Sequence, residues 1–504
     1  MTADETQRHQ RRLFGTLVAG LVALAFLIRF CHLGDWNFQA TEIFTLRDSL
    51  RPRLGNPRPL GYLLNYYLVR PFHPLDELGL RLLPAFFGAL AIPVFFFQAR
   101  RLIPLRAAFL GTLLLTVSPL QLLYSQLARY WSLVFLLSAV YPYALYLAIR
   151  DRSRRALALG IVTGILAVLA HPAAVLLAGG LAIWFLATYL QPGQLKQLWS
   201  QRSVRWATAF AVILAAVIAI RFFPILHGWI SEHDKNPASG QFLIRPPAPR
   251  GVKQLIYLLA FGESLTVPLV LSAAAGIYFL WQGRDRSLAL LLTSVAIFPI
   301  AFLTLISLRT PVSTYYLLPV VPVFFLAAGV FLDRLFEVDG MLRPHWLLPA
   351  VVTAMIVAAG VPTLVSDLRD GRRFDFRSAA HWLHGALTPG DVVFSDQPMV
   401  LAHYLPDAPV HRLRPDPVPL RASLDTLRAS GHRNALWIVA PAPSHAFRAN
   451  LKQRGLIRWI YDNCQLRTST GVGRVDYRQE YLHVYRCPPM SPDGAGSSGA
   501  AATP

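Results

Sequence analysis

The sequence predicts a polytopic all-α membrane domain followed by a small C-terminal α/β domain, and three observations carry that prediction. Hydrophobic residues make up 54% of the 504 positions and charged residues only 15%, a balance typical of multi-pass membrane proteins rather than globular domains. Apolar runs long enough to cross a bilayer recur through residues 1–365, since about 20 helical residues span the hydrocarbon core. From residue 366 to 487 short β-rich runs alternate with segments of helical spacing, the pattern of a soluble α/β unit.

Read in order, the apolar runs give about eleven transmembrane helices, at residues 13–30, 82–99, 107–123, 131–149, 156–170, 173–190, 206–223, 265–281, 288–308, 315–332 and 346–365. His171-Pro172 divides the fifth from the sixth, and the proline is also compatible with one long kinked helix. Cytoplasmic loops of such proteins carry the Lys and Arg excess. With the N-terminus cytoplasmic, Arg8, Arg11 and Arg12, then Arg100, Arg101 and Arg106, then Arg150, Arg152, Arg154 and Arg155, and later Arg284 and Arg286 fall on the inner face. An odd number of spans places the chain after Ser366 outside. The first run resembles a secretory signal in its basic flank. Its length and the lack of a small-residue cleavage site before His32 make it an uncleaved anchor.

The net charge of +21 follows from these inner arginines facing anionic headgroups, so it does not argue for nucleic acid as a partner. Two external segments are long, residues 31–81 and 224–264, while the cytoplasmic loops are short, which puts function on the outer face. In the C-terminal domain residues 391–395, 435–440 and 481–485 read as strands, and 376–387, 423–430 and 445–454 as helices. The Ser-, Gly-, Ala- and Pro-rich tail 488–504 reads as disordered. Cys31 stands alone at a membrane boundary. Cys464 and Cys487 share the external domain, where a disulfide between them is permitted, and no cysteine pair has metal-ligand spacing.

Five motifs occur in order: the loop from Cys31 with Asp35, Thr41 and Glu42; Asn56-Pro-Arg58-Pro-Leu-Gly-Tyr62; Gly79-Leu-Arg81-Leu-Leu-Pro84; Ser118-Pro119 through Ser125-Gln126-Leu127-Ala128-Arg129-Tyr130; and Tyr315-Tyr316-Leu-Leu-Pro319. Together they resemble the polyprenyl-phosphate-dependent GT-C glycosyltransferases, in particular relatives of protein O-mannosyltransferases and of the aminoarabinose transferase that modifies lipid A. The resemblance covers most of the chain. It implies transfer of a sugar from an isoprenoid phosphate carrier to an acceptor at the outer surface of a bacterial cytoplasmic membrane, usually with inversion. The implied partners are a polyprenyl-phosphate-linked sugar, membrane lipid and an acceptor that is a glycan, a lipid or a protein. No cofactor is required by the pattern, although some members use a divalent metal.

Such a reaction needs a base for the acceptor hydroxyl and cations or donors for the departing phosphate. The family's usual Asp-Glu is Thr41-Glu42 here, and its usual Ser-Gln-Glu-Ala-Arg has Leu127 in place of the glutamate. Glu42 is the first candidate base; the alternative is that it caps a helix in its first turn. Asp35 is the second, with an N-cap as its alternative. Arg129 and Tyr130 at the outer start of a span, and Arg58 before Pro59, are candidates for the lipid phosphate, against simple snorkelling to headgroups. His171 has a place in that group or as a locally bonded histidine. Tyr315 stands where relatives often carry arginine, and Arg309 is placed to compensate. Glu232, His233 and Asp234 form an acidic and histidine cluster without defined ligand spacing, read as a solvated loop.

Two rival functions remain. A transporter would concentrate polar groups at mid-membrane within repeated halves, whereas this chain places them at the outer ends of spans and shows no repeat. A non-catalytic GT-C-like protein of envelope assembly would keep the lipid groove without the usual acids.

Overall fold

The computed structural model describes residues 3–189, 265–283, 285–307, 312–337, 346–370, 374–413, 435–441, 451–471 and 481–487, with isolated positions from 418 to 426. The chain forms two compact units, one of Met1–Asp35, Phe44–Ser239 and Ala248–Gly371, the other of Trp36–Ile43, Gly240–Pro247 and Arg372–Pro504.

The first unit is helical. Its elements begin with α1 (Ala3–Phe30), α2 (Ala40–Leu50, which continues in from the other unit), and α3 (Pro59–Leu64), which runs directly into a π-helical turn, Asn65–Val69. Then come α4 (Glu77–Ala99), α5 (Leu105–Thr116), α6 (Pro119–Ser125), α7 (Trp131–Ser138), α8 (Tyr141–Arg150), α9 (Arg154–Ala170) and α10 (Leu176–Tyr189). After the undescribed stretch follow α11 (Val267–Gln282), α12 (Arg286–Ser307), α13 (Val321–Leu335) and α14 (Leu347–Asp370). Among the described residues seven segments are long and apolar enough to cross a membrane, and α5 with α6 makes an eighth if a 58° bend is allowed within one span. The protein is a multi-pass membrane protein. Ten of the expected spans fall on helices; the expected span 206–223 lies outside the described residues.

The breaks have local causes. Ser118 caps α6 by accepting from the Gln121 N–H, and Pro119 starts that helix, so the expected span 107–123 is two helices. Pro142 cannot donate to the Ser138 carbonyl, which interrupts 131–149 between α7 and α8. At His171 the backbone is extended (φ −161°, ψ 133°) and a 3₁₀ turn, Pro172–Val175, leads into α10. The chain there forms two helices rather than one kinked helix.

Close helix approach depends on small residues, as van der Waals packing in a membrane demands. A Cβ on Gly276 of α11 would fall 1.8 Å from the Ala327 carbonyl oxygen of α13, and one on Gly329 would fall 2.3 Å from the Ala107 carbonyl oxygen of α5. At one end of α13 Asp333 pairs with Arg106, whose guanidinium also covers the Phe336 ring at 4.2 Å.

The second unit carries α15 (Phe376–Ala386), β1 (Val392–Ser395), α16 (Pro398–Tyr404), β2 (Val410–Arg412), β3 (Leu436–Pro441), α17 (Leu451–Asn463), β4 (Gln465–Thr470) and β5 (Leu482–Cys487). The mixed sheet has strand order β2-β1-β3-β5-β4. β1 lies parallel to β2 and β3, and β5 lies antiparallel to β3 and β4. Its core joins Phe394, Leu436, Ile438 and Tyr485 of the sheet to Leu456, Trp459 and Ile460 of α17. The buried Asp391 carboxylate accepts from the Thr388 N–H at 3.0 Å, the Ala435 N–H at 2.7 Å and the Trp437 Nε1–H at 2.9 Å. The three anticipated strands are present, β2, β4 and α16 are additions, and most of 423–430 and 445–450 lies outside the described residues.

Cys464 and Cys487 are bonded, tying the end of α17 to the end of β5 across 23 positions. A cross-link of that loop length stabilises by about 3 kcal/mol. Cys464→Ser with Cys487→Ser should therefore lower the unfolding free energy of this unit by about that amount, read by denaturant titration of Trp437 fluorescence, and non-reducing peptide mapping of the wild type should recover the two linked fragments.

Candidate functional site

The site begins at the end of α1. Arg29 is completely buried and donates from Nε to Gln121 Oε1 at 2.8 Å, from Nη1 to the Ala25 carbonyl at 3.2 Å and from Nη2 to the Thr116 carbonyl at 3.2 Å. Gln121 in turn donates to the Gly88 carbonyl of α4 at 2.9 Å. Five residues on, Gln126 donates to the carbonyls of Ile28 at 3.2 Å and Cys31 at 2.9 Å, closing the C-terminus of α1. These bonds fix the hairpin between α6 and α7, and Ser132 tightens it by donating to the Tyr124 carbonyl at 2.7 Å.

The hairpin presents Arg129 and Tyr130. Arg129 donates from Nη1 to Thr45 Oγ1 at 3.1 Å and from Nη2 to the Tyr130 hydroxyl at 2.8 Å. Arg58, held by the turn before α3, donates from Nη1 to the same hydroxyl oxygen at 2.7 Å. Both guanidinia also lie over the Tyr130 ring, 4.6 Å and 5.4 Å from its centre. The Arg58 Nε–H is buried without a hydrogen-bond partner. Burial raises the Tyr130 pKa against the pull of the two arginines, so the phenol is a neutral acceptor between two cations. Like charges this close in a poorly screened setting repel, and an anion accepting from both would relieve that repulsion with charge-assisted bonds.

A cleft of ≈ 340 Å³, its open mouth included, adjoins this pair. Its lining combines the polar Thr45, Tyr62, Asn65, Arg129 and Tyr130 with the apolar Leu83, Pro84, Phe87 and Leu133. Asn65 sits where α3 becomes π-helical, and its Nδ2 donates to Ser49 Oγ at 3.0 Å. Gly61 allows α3 to approach, since a Cβ there would meet the Tyr130 Cβ at 3.2 Å.

Behind Tyr130 lies an aromatic layer. His171 stacks on Tyr130 at 4.9 Å and on Tyr316 at 5.6 Å, with Trp131 4.4 Å away; Tyr315 is 5.1 Å from Trp131. His171 Nδ1 accepts the Ala173 N–H at 3.0 Å, which places the ring proton on Nε2. Burial, and secondarily the fields of Arg58 and Arg129, hold its pKa well below 6.5. This histidine is a neutral packing element beneath the cations.

Arg58, Arg129, Tyr130, His171 and Tyr315 are thus brought together. Asp35 is exposed and pairs with His32 Nδ1 at 2.5 Å. Glu42 belongs to the second unit; it is fully buried, and its Oε2 accepts the Gln39 N–H at 2.8 Å, the carboxylate half of a capping box. Arg309 and the Glu232–Asp234 cluster lie outside the described residues. Among the described residues no three His, Cys, Asp or Glu side chains are grouped to hold a metal ion. Thr45, Tyr62, Asn65 and the Arg29–Gln121 pair were not anticipated. Thr45 lies one helical turn after Glu42, and Tyr62 and Gln121 fall within the motifs; Asn65 and Arg29 had no such signal.

No family model and no curated protein matches the sequence. Solved structures do match. ArnT from Cupriavidus metallidurans in the apo state aligns with a TM-score of 0.55 at 16% identity over 95% of this chain and 98% of that one. The same protein bound to undecaprenyl phosphate aligns with a TM-score of 0.52 at 15% identity and the same coverage. The archaeal oligosaccharyltransferase AglB from Archaeoglobus fulgidus, in complex with an inhibitory peptide and a dolichol-phosphate, aligns with a TM-score of 0.51 at 14% identity over 84% of this chain and 69% of that one. The chain has the fold of the GT-C glycosyltransferases.

The neutral state of His171 has a pH signature. Unfolded histidine takes up a proton below pH 6.5 while the folded side chain does not, so stability is full above that value and declines as pH falls beneath it. By pH 5.5 the loss attributable to this residue should approach about 1.4 kcal/mol. Thermal unfolding of purified protein at pH 7.5 and 5.5 checks it: His171→Asn should show a smaller drop between the two than the wild type does.

Proposed function

We propose that the protein is a membrane glycosyltransferase that moves a sugar from a polyprenyl-phosphate carrier to an acceptor at the outer face of the bacterial cytoplasmic membrane. The observation that carries this reading is the convergence of Arg58 and Arg129 on one hydroxyl beside a cleft lined by both apolar and polar side chains. A cleft of that character suits an isoprenoid chain ending in a phosphate. The GT-C fold and the bound undecaprenyl phosphate of the ArnT relative support the same reading.

In this scheme the acceptor hydroxyl attacks the anomeric carbon from the side opposite the phosphate. The bond from that carbon to the phosphate oxygen breaks, its electron pair stays on the phosphate, and configuration inverts. Arg58 and Arg129 donate to the phosphate oxygens as their charge grows, an arrangement whose reorganisation cost has already been met in the folded protein. The hydroxyl proton goes to a carboxylate, which we assign to Glu42. The capping bond from Gln39 fixes one of its oxygens. Asp35 is the weaker assignment because it is solvent-exposed and bonded to His32. The positive-inside pattern supports a cytoplasmic N-terminus and an external C-terminal unit.

Incubation of the purified protein with a labelled polyprenyl-phosphate sugar and envelope acceptor fractions tests the reading. Sugar should leave the lipid only when an acceptor is present; lipid binding without any transfer would instead favour a non-catalytic protein of envelope assembly. Arg129→Gln should raise KM for the lipid donor by about 10- to 100-fold, the value of one or two charge-assisted hydrogen bonds. Glu42→Gln should leave lipid binding intact and lower kcat by about 10²- to 10⁴-fold; undiminished turnover removes Glu42 from the mechanism.

A further inference from the structure

The loop that carries Glu42 is built into the C-terminal unit. Residues Trp36–Ile43 group with Arg372–Pro504, and the contact that anchors them is specific. The Phe38 N–H donates to the Tyr404 hydroxyl at 2.7 Å, across 366 positions of sequence. Phe38 is almost fully buried and meets the ring of His403 edge-on at 5.3 Å.

Tyr404 itself stands on a rigid mount. It ends α16, whose Val400 and Leu401 are completely buried and whose following residue, Leu405, donates its N–H to the Leu401 carbonyl at 2.9 Å. The Arg377 guanidinium of α15 covers the Tyr404 ring at 5.7 Å. From the Phe38 amide the path to the carboxylate is one residue long, because the next amide, Gln39 N–H, is the one that Glu42 Oε2 accepts at 2.8 Å.

We propose that Tyr404 is a positioning residue for the transfer reaction, fixing through the Phe38 amide the turn that holds the Glu42 carboxylate. This rests on the assignment of Glu42 as base. Within this unit α16 holds the turn of residues 36–43, so that the carboxylate is kept in one place. Misplacement by about 1 Å costs an enzyme on the order of 10²-fold in rate, so a bond that sets the turn is expected to act on turnover.

Tyr404→Phe deletes the acceptor oxygen and keeps the ring, with its Arg377 and His403 neighbours. In full-length protein in nanodiscs the variant should lose roughly 10- to 100-fold in kcat, while KM for the polyprenyl-phosphate sugar stays within about twofold, since the Arg58 and Arg129 groups are untouched. Hydrogen exchange supplies a readout that needs no activity: the amides of residues 36–43 should exchange at least tenfold faster, with the β1, β3 and β5 amides unchanged. Exchange of 36–43 at the wild-type rate overturns the proposal, as does faster exchange with wild-type kcat. Equal loss of protection throughout the sheet also overturns it, because the hydroxyl would then serve the fold alone. A wild type that transfers no sugar, or a Glu42→Gln that transfers normally, instead overturns the functional reading on which the positioning role depends, and the exchange data still report whether Tyr404 holds the loop.

Discussion

A guanidinium buried in a membrane-spanning bundle must have its donors satisfied, and Arg29 sets this condition where α1, α4, α5 and α6 meet. Taking such a cation out of water costs several kcal/mol even after relaxation. Its acceptors are the Gln121 side chain and the carbonyls of Ala25 and Thr116. The Thr116 carbonyl is open to it because α5 ends there and α6 restarts at Pro119. The broken span, set by Ser118 and Pro119, thus also serves the buried charge by exposing that carbonyl to it. The same break sends Gln121 and Gln126 back to α1 and α4, and the chain that follows them has only one course, the hairpin that presents Arg129 and Tyr130.

The cations at the cleft are held in a state that an anion improves. Arg58 and Arg129 share a neutral hydroxyl oxygen, and the Arg58 Nε–H is buried without a partner. Each feature costs free energy, and each is what an anion accepting from both groups would relieve. The aromatic layer underneath makes the arrangement stiff. Because His171 is neutral and locked by the Ala173 amide, it adds no third positive charge and leaves the two guanidinia to define the field. The two donors are therefore held in place by the folded protein itself.

Much of this was legible in the sequence because membrane helices and motif order are strong signals. The apolar runs located ten helical segments, and the Arg58, Arg129, Tyr130, His171 and Tyr315 positions converge in space. The missed features are those without a one-dimensional trace. A π-helical turn at Asn65 has no signature of its own, and its effect is to aim a side chain into the cleft. Arg29 lies near the end of the first apolar run, and nothing in its sequence neighbours shows that acceptors from α5 and α6 will reach it. β2 and β4 are short or exposed edge strands with weak alternation. The grouping of 36–43 with residues beyond 372 depends on a tyrosine hydroxyl 366 positions away, a relation that only folding reveals.

Positions 41 and 42 of α2 face in different directions. Adjacent residues on a helix point about 100° apart, and Thr41 lies on the exposed side while Glu42, Thr45 and Ser49 are buried along one face at i, i+3 and i+7. Thr45 is bonded to Arg129 and Ser49 to Asn65, so that face is the polar, hydrogen-bonded face of α2. A carboxylate at position 41 of this helix would project into solvent, whereas one at 42 shares the buried face and begins with an oxygen fixed by the Gln39 amide. Thr41 therefore stands where this helix does not direct a side chain inward, and Glu42 is the acidic residue of α2 whose carboxylate a backbone amide holds.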